Sequence, residues 1–103
     1  MTLTGGSISG SVSVDVLDKF VLDLAVKIVA DYCNKNRIEA SLVAVVDGFV
    51  ETGPNGKTYT LTLKLKVKVG DVYVLKIFRV VVFVPYIGIP YAVSFEYVED
   101  VSI

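Results

Sequence analysis

Between Lys57 and Val69 apolar and polar residues alternate without a break. Tyr59, Leu61, Leu63, Leu65 and Val67 make one row, and Thr60, Thr62, Lys64, Lys66 and Lys68 make the other. A period of two over this length fits an extended strand with one buried face and one open face. The apolar row needs a covering layer, and the chain supplies one upstream. Lys19, Asp23, Lys27 and Asp31 stand four residues apart and alternate in sign, which makes one ion-paired stripe on a helix. Around that stripe Leu17, Phe20, Val21, Leu24, Ala25, Ile28, Val29 and Tyr32 are apolar. So narrow a polar stripe predicts a helix from about Val16 to Asn34, gripped over most of its circumference by a curved sheet.

Other strands follow from the same pattern. Ile8, Val12, Val14 and Val16 predict a first strand, and Asp15 or Asp18 can cap the helix behind it. Asn34 and Asn36 punctuate the helix end. Ile38 to Glu51 predicts a strand with Ile38, Ala40, Leu42, Ala44 and Val46 on one face. Thr52-Gly53-Pro54-Asn55-Gly56 is turn chemistry, and Gly70-Asp71 is a hairpin turn. In Val72 to Val84 the charges Lys76 and Arg79 break parity, which predicts a bulge near Ile77-Phe78. Without it, one charge points inward. Pro85 ends that strand, Tyr86 to Pro90 loops, and Tyr91, Val93, Phe95 and Tyr97 alternate as the last strand. The fold class expected is α+β, one helix wrapped by a curved four- to five-stranded antiparallel sheet.

Length and composition limit the function. A chain of 103 residues predicts one domain over 1–103, with residues 1–7 a flexible tail. The 21 valines and 11 aromatic residues favour a sheet over a helical bundle. No apolar run reaches the roughly 18–20 residues of a membrane helix. The surplus of apolar residues predicts an oligomer interface or a second covered face. The net charge is −1 and no basic cluster is dense enough to suggest a nucleic-acid footprint, and Lys64, Lys66 and Lys68 read as a solvated outer face. Met1-Thr2-Leu3-Thr4 has neither a charged nor an apolar leader segment, so no signal peptide is expected and a cytoplasmic location fits.

The chain has no histidine, which removes the usual general base and the Ser-His and Cys-His nucleophile pairs. The one cysteine, Cys33, has no companions for a disulfide or a zinc site and reads as a small core residue. No phosphate loop precedes the helix. The expectation is a protein with no catalytic residues, no metal and no cofactor.

Leu24-Ala25-Val26-Lys27-Ile28-Val29-Ala30-Asp31-Tyr32-Cys33-Asn34 is similar to the helix pattern Leu-Ala-Arg-Phe-Ala-Val-Asp-Glu-His-Asn of plant cystatins. Thr52 to Gly56 falls at about the distance of that family's Gln-x-Val-x-Gly hairpin loop. Tyr59-Thr60-Leu61-Thr62-Leu63 resembles the strand that follows it, and Val67-Lys68-Val69-Gly70-Asp71 and Tyr73 to Phe78 resemble the next hairpin of stefins. Pro85-Tyr86 stands where the family has Pro followed by Trp or Gly, and Gly5-Gly6 roughly where it keeps its glycines.

The resemblance implies reversible inhibition of papain-like cysteine proteases. An N-terminal segment and two loops form a wedge in the active-site cleft. The residues so implied are Gly5, Gly6, Thr52, Gly53, Pro54, Asn55, Gly56, Pro85 and Tyr86. It also implies a homodimer formed by strand exchange through the first hairpin loop. The partners expected are such a protease and a second copy, not nucleic acid or a membrane. Of Gln-x-Val-x-Gly only Gly56 is kept, which leaves a second reading open: a diverged or designed scaffold of this fold without inhibition. In that reading Thr52–Gly56 is a plain tight turn, Gly5-Gly6 a tail, and Tyr86 a loop aromatic.

Overall fold

A computed structural model describes residues Ser11 to Val101. Its elements are β1 (Ser11–Ser13), α1 (Lys19–Asn36), β2 (Ala40–Thr52), β3 (Gly56–Val69), β4 (Val72–Pro85) and β5 (Tyr91–Asp100). The strands form one sheet in the order β1-β2-β3-β4-β5, and every neighbouring pair is antiparallel. One helix packed on a five-stranded antiparallel sheet is the α+β arrangement the pattern predicts. Residues 1–7, Ile8, Gly5 and Gly6 lie outside the described residues.

The helix starts later than the pattern suggests, because Asp18 caps it. The Asp18 carboxylate accepts from the Val21 N–H at 3.4 Å, satisfying one of the first-turn donors. Asp15 instead accepts from the Leu17 N–H at 2.9 Å, making the turn before the cap. Leu17 therefore falls outside the helix and is 78% exposed rather than packed. At the other end Arg37, not an asparagine, takes the left-handed conformation (φ 55°), while the Asn36 amide donates to the Tyr32 carbonyl at 2.9 Å. The ion-paired stripe is present as Lys19–Asp23 (2.6 Å) and Lys27–Asp31 (2.8 Å).

Opposite the stripe, Val21, Leu24, Ala25, Ile28 and Val29 are buried against Tyr59, Leu61, Leu63, Leu65 and Val67 of β3 and Phe78, Val80 and Val82 of β4. Aromatic rings close both ends of this layer. Phe20 tilts on Tyr59 near the helix start, and Tyr32 stacks on Phe95 near its end, with centroids 3.7 Å apart.

The two central strands pair in unbroken register, from Gly56 opposite Pro85 to Val69 opposite Val72, with Gly70 and Asp71 as the two-residue turn. The flanking strands are irregular. In β2 the register slips between Leu42 and Ala44 and again between Val45 and Asp47. Each slip inserts one residue, which bends the strand and shifts its inward row by one. The row facing the helix is therefore Ala40, Leu42, Val45, Gly48 and Val50. Val45 is buried and Val46 points out, correcting the alternation expected for Val46.

β5 slips at Val93 and Val98. Phe95 and Tyr97 face the helix side, but Tyr91 packs on Phe83 across the open face and Val93 is 61% exposed. Those two residues do not join the expected inward row. The bulge expected near Ile77-Phe78 does lie opposite that dipeptide, but on β5. Since β4 itself is regular, Lys76 shares the helix-side face with Leu65. There its ammonium group donates to Asp100 at 2.8 Å and lies over the Tyr97 ring. On the outer row Lys66 covers the Tyr73 ring and Lys68 lies 3.9 Å from Glu39. Val12, expected on a buried face, is exposed.

Candidate functional site

Two loops meet at one end of the sheet. The β2–β3 turn closes through the Gly53 N–H, which donates to the Gly56 carbonyl at 2.8 Å. Pro54 and Asn55 fill the turn. The β4–β5 loop starts at Tyr86, whose N–H donates to the Asn55 carbonyl at 3.1 Å. Its hydroxyl reaches back to the Gly53 carbonyl at 2.9 Å. Tyr86 therefore clamps both ends of the neighbouring turn, and the two loops hold one shape in common.

Gly56 opens β3 directly opposite Pro85 of the neighbouring β4. A Cβ on it would stand 2.4 Å from the Val84 carbonyl oxygen and 2.7 Å from the Pro85 Cα. Only glycine allows that approach. Gly56 is buried, so its role is to let the loops converge rather than to touch a partner. Beyond Tyr86 the chain turns over Pro85 at Gly88, where φ is 127°. That conformation is open to glycine and strained for other residues.

The turn throws the two flanking isoleucines outward. Ile87 is 94% exposed and Ile89 73%. The loop pattern did not single these out. The legible signal was a pair of β-branched residues around a glycine, bracketed by Pro85 and Pro90.

Tyr86 stands between two shallow grooves. On the helix side one of about 440 Å³ is lined by Phe20, Lys57, Tyr59, Val84, Pro85 and Tyr86. On the open side one of about 390 Å³ is lined by Pro54, Asn55, Phe83, Pro85, Tyr86 and Ile87. The helix start borders this end too. Burial first, and then the Asp18 carboxylate, push the Tyr59 hydroxyl above its ordinary value. No charged residue lies in 52–56 or 85–95. A surface of this kind recognises shape, backbone and apolar contact rather than charge.

Of the residues implied by resemblance, Thr52, Gly53, Pro54, Asn55, Gly56, Pro85 and Tyr86 are thus brought together. Gly5 and Gly6 lie outside the described residues. β1 begins at Ser11 opposite Glu51, beside the β2–β3 turn, so the described chain enters the sheet at the loop end.

Two polar clusters lie elsewhere. The Tyr73 hydroxyl donates to Glu39 at 2.8 Å and is raised by that bond. At the far edge Asp100 accepts from Lys76 and Tyr97, and those two hydrogen bonds hold its carboxyl below its ordinary value. Both clusters are tied internally. Cys33 is half-buried, with its sulfur 3.6 Å from the Ala40 carbonyl oxygen. Among the described residues no three His, Cys, Asp or Glu side chains gather as a metal set, and no helix is long and apolar enough to cross a membrane. Comparison with protein-family models, with curated proteins and with solved structures gives no match to this chain.

Proposed function

We propose that this protein is a non-enzymatic binding module that inserts its loop end into a concave site, as a cystatin does in the cleft of a papain-like cysteine protease. One observation carries the reading: the Tyr86 clamp, which fixes the β2–β3 turn and the β4–β5 loop as one rigid wedge. A preorganised wedge loses little conformational entropy on docking. Its two loops carry no charged residue, which suits a groove that binds extended peptide through backbone and apolar contacts.

The test is a titration of papain with the full chain, following residual peptidase activity. The reading predicts stoichiometric loss of activity, relieved by Tyr86→Ala. Full papain activity with tens of micromolar protein would refute it.

One feature favours the scaffold reading. Gly56, the sole survivor of the family's loop motif, is accounted for by packing against Val84 and Pro85 and requires no protease. In that reading the loop end keeps its shape and takes another partner. The papain titration separates the two.

A further inference from the structure

The chain has three asparagines, two held in the helix and one in a turn. The N–H after Asn34 belongs to Lys35, inside the helical ladder. The Asn36 amide donates to the Tyr32 carbonyl, and the N–H after it, on Arg37, donates to the Cys33 carbonyl. Asn55 stands exposed in the β2–β3 turn. Among the described residues, the one side-chain hydrogen bond that reaches this turn comes from the Tyr86 hydroxyl, and the Asn55 carboxamide takes no part in it.

The backbone nitrogen that follows Asn55 is open too. In an antiparallel hairpin the two residues of a bonded pair exchange both N–H···O bonds. Here Gly53 donates to Gly56 at 2.8 Å, but Gly56 does not donate back. The Gly53 carbonyl accepts from the Tyr86 hydroxyl instead. Toward β4 the Asn55 carbonyl, not the Gly56 N–H, is bonded, accepting from the Tyr86 N–H at 3.1 Å. Gly56 has no Cβ, so nothing on its own Cα crowds the nitrogen.

We infer that Asn55-Gly56 is a modification site at which the folded chain deamidates without an enzyme. The Gly56 nitrogen attacks Cγ of the Asn55 carboxamide. The N–Cγ bond forms, the bond from Cγ to the amide nitrogen breaks, and that nitrogen leaves with the Gly56 proton as ammonia. A cyclic imide remains, and water opens it at either carbonyl. Opening at Cγ gives an aspartyl residue on the original backbone. Opening at the main-chain carbonyl gives an isoaspartyl link, with the chain running through Cβ and Cγ.

Either product puts a carboxylate into loops that carry no charge. The isoaspartyl link also adds a main-chain carbon to the turn, and the carbonyl that accepts from the Tyr86 N–H leaves the backbone. Deamidation therefore loosens the clamp between the two loops. The reaction needs no partner, whereas its effect on docking rests on the wedge proposed above.

The test holds the full chain folded in warm, mildly alkaline buffer, samples it over days, and digests each sample with trypsin for mass spectrometry. Far-ultraviolet circular dichroism checks that the chain stays folded. Asn55 is the only amide side chain in the fragment Ile38–Lys57, and Asn34 the only one in Ile28–Lys35. The amide-to-acid mass gain is expected in Ile38–Lys57 and not in Ile28–Lys35. It grows faster as the pH rises, because the attacking nitrogen must lose its proton, and Asn55→Gln abolishes it. An Ile38–Lys57 fragment unchanged in the folded chain overturns the proposal, whether or not the urea-unfolded chain converts. Equal conversion at Asn34 overturns it as well, since the turn then confers nothing.

Discussion

Gly56, Tyr86 and Asp100 each do one job that a single substitution isolates. A methyl group at Gly56 must displace the backbone of Val84 and Pro85. Gly56→Ala is therefore expected to cost about 1–3 kcal/mol, measured by urea unfolding. A cost near zero would mean β4 does not pass so close. Tyr86→Phe removes only the hydroxyl bond to Gly53. It should cost at most about 0.5–1.5 kcal/mol and leave the fold intact, but loosen the β2–β3 turn, seen as faster amide exchange at Gly53.

Asp100 carries the pH dependence. Lys76 and Tyr97 hold its carboxyl below the ordinary 3.8, so its folded value lies under its unfolded one. Its stabilising contribution is complete above 3.8 and is lost as the pH falls through the folded value. Lys76 is raised by the same bond. Its contribution is complete below 10.5 and is lost as the pH rises through its folded value. Asp100→Asn should flatten the acid limb of an unfolding titration, and an unchanged limb would contradict the cluster.

Among the elements, regular ones were readable in the sequence and bulged ones were not. β3 pairs with β4 without interruption, and the two slips on its other edge are residues inserted in β2, so period two in β3 survives from sequence to structure. The helix stripe survives because its charges face water. β2 reads Val43-Ala44-Val45-Val46, small apolar residues on either face, and nothing in such a run marks where a residue is inserted. The structure predicts that Val45→Ala costs about 2 kcal/mol, while Val46→Ala stays within about 0.5 kcal/mol. Equal costs would contradict the slip at Val45–Asp47.

Lys76 shows a partial reading. The broken parity placed a bulge at the right level, but pairing, which one strand's sequence does not reveal, put it on β5. The helix end is similar, since nothing local distinguishes Arg37 from Asn36 as the residue that turns left-handed. Arg37→Gly should stabilise the protein by about 1 kcal/mol by relieving that conformation. In the loops, turn chemistry exposed Thr52–Gly56 and Pro85-Tyr86, whereas Ile87 and Ile89 read as ordinary apolar residues until Gly88 turned them outward.

At the scale of the molecule the sheet outruns its helix. The principal extents are 55, 32 and 22 Å. Eighteen helical residues cover only about 27 Å of that, while the fourteen-residue strands β3 and β4 reach nearer 46 Å. The uncovered ends carry different things. One holds the Val69–Tyr73 hairpin and, on the helix-side face, the Lys76–Tyr97–Asp100 cluster, which ties β4 to β5. The other holds the clamped loops, free of charge and tipped by two exposed isoleucines.

The loops, set beyond the core, can enter a cleft without disturbing the packing beneath them. The claim that this end does the binding is tested most directly by amide chemical-shift mapping of the labelled chain during titration with active-site-blocked papain. Saturable shifts concentrated at Gly53–Asn55 and Tyr86–Ile89 are expected, with the Lys19–Asp31 helix stripe unmoved. Shifts centred on the helix or on β5, or none at all at an equimolar ratio, would contradict it.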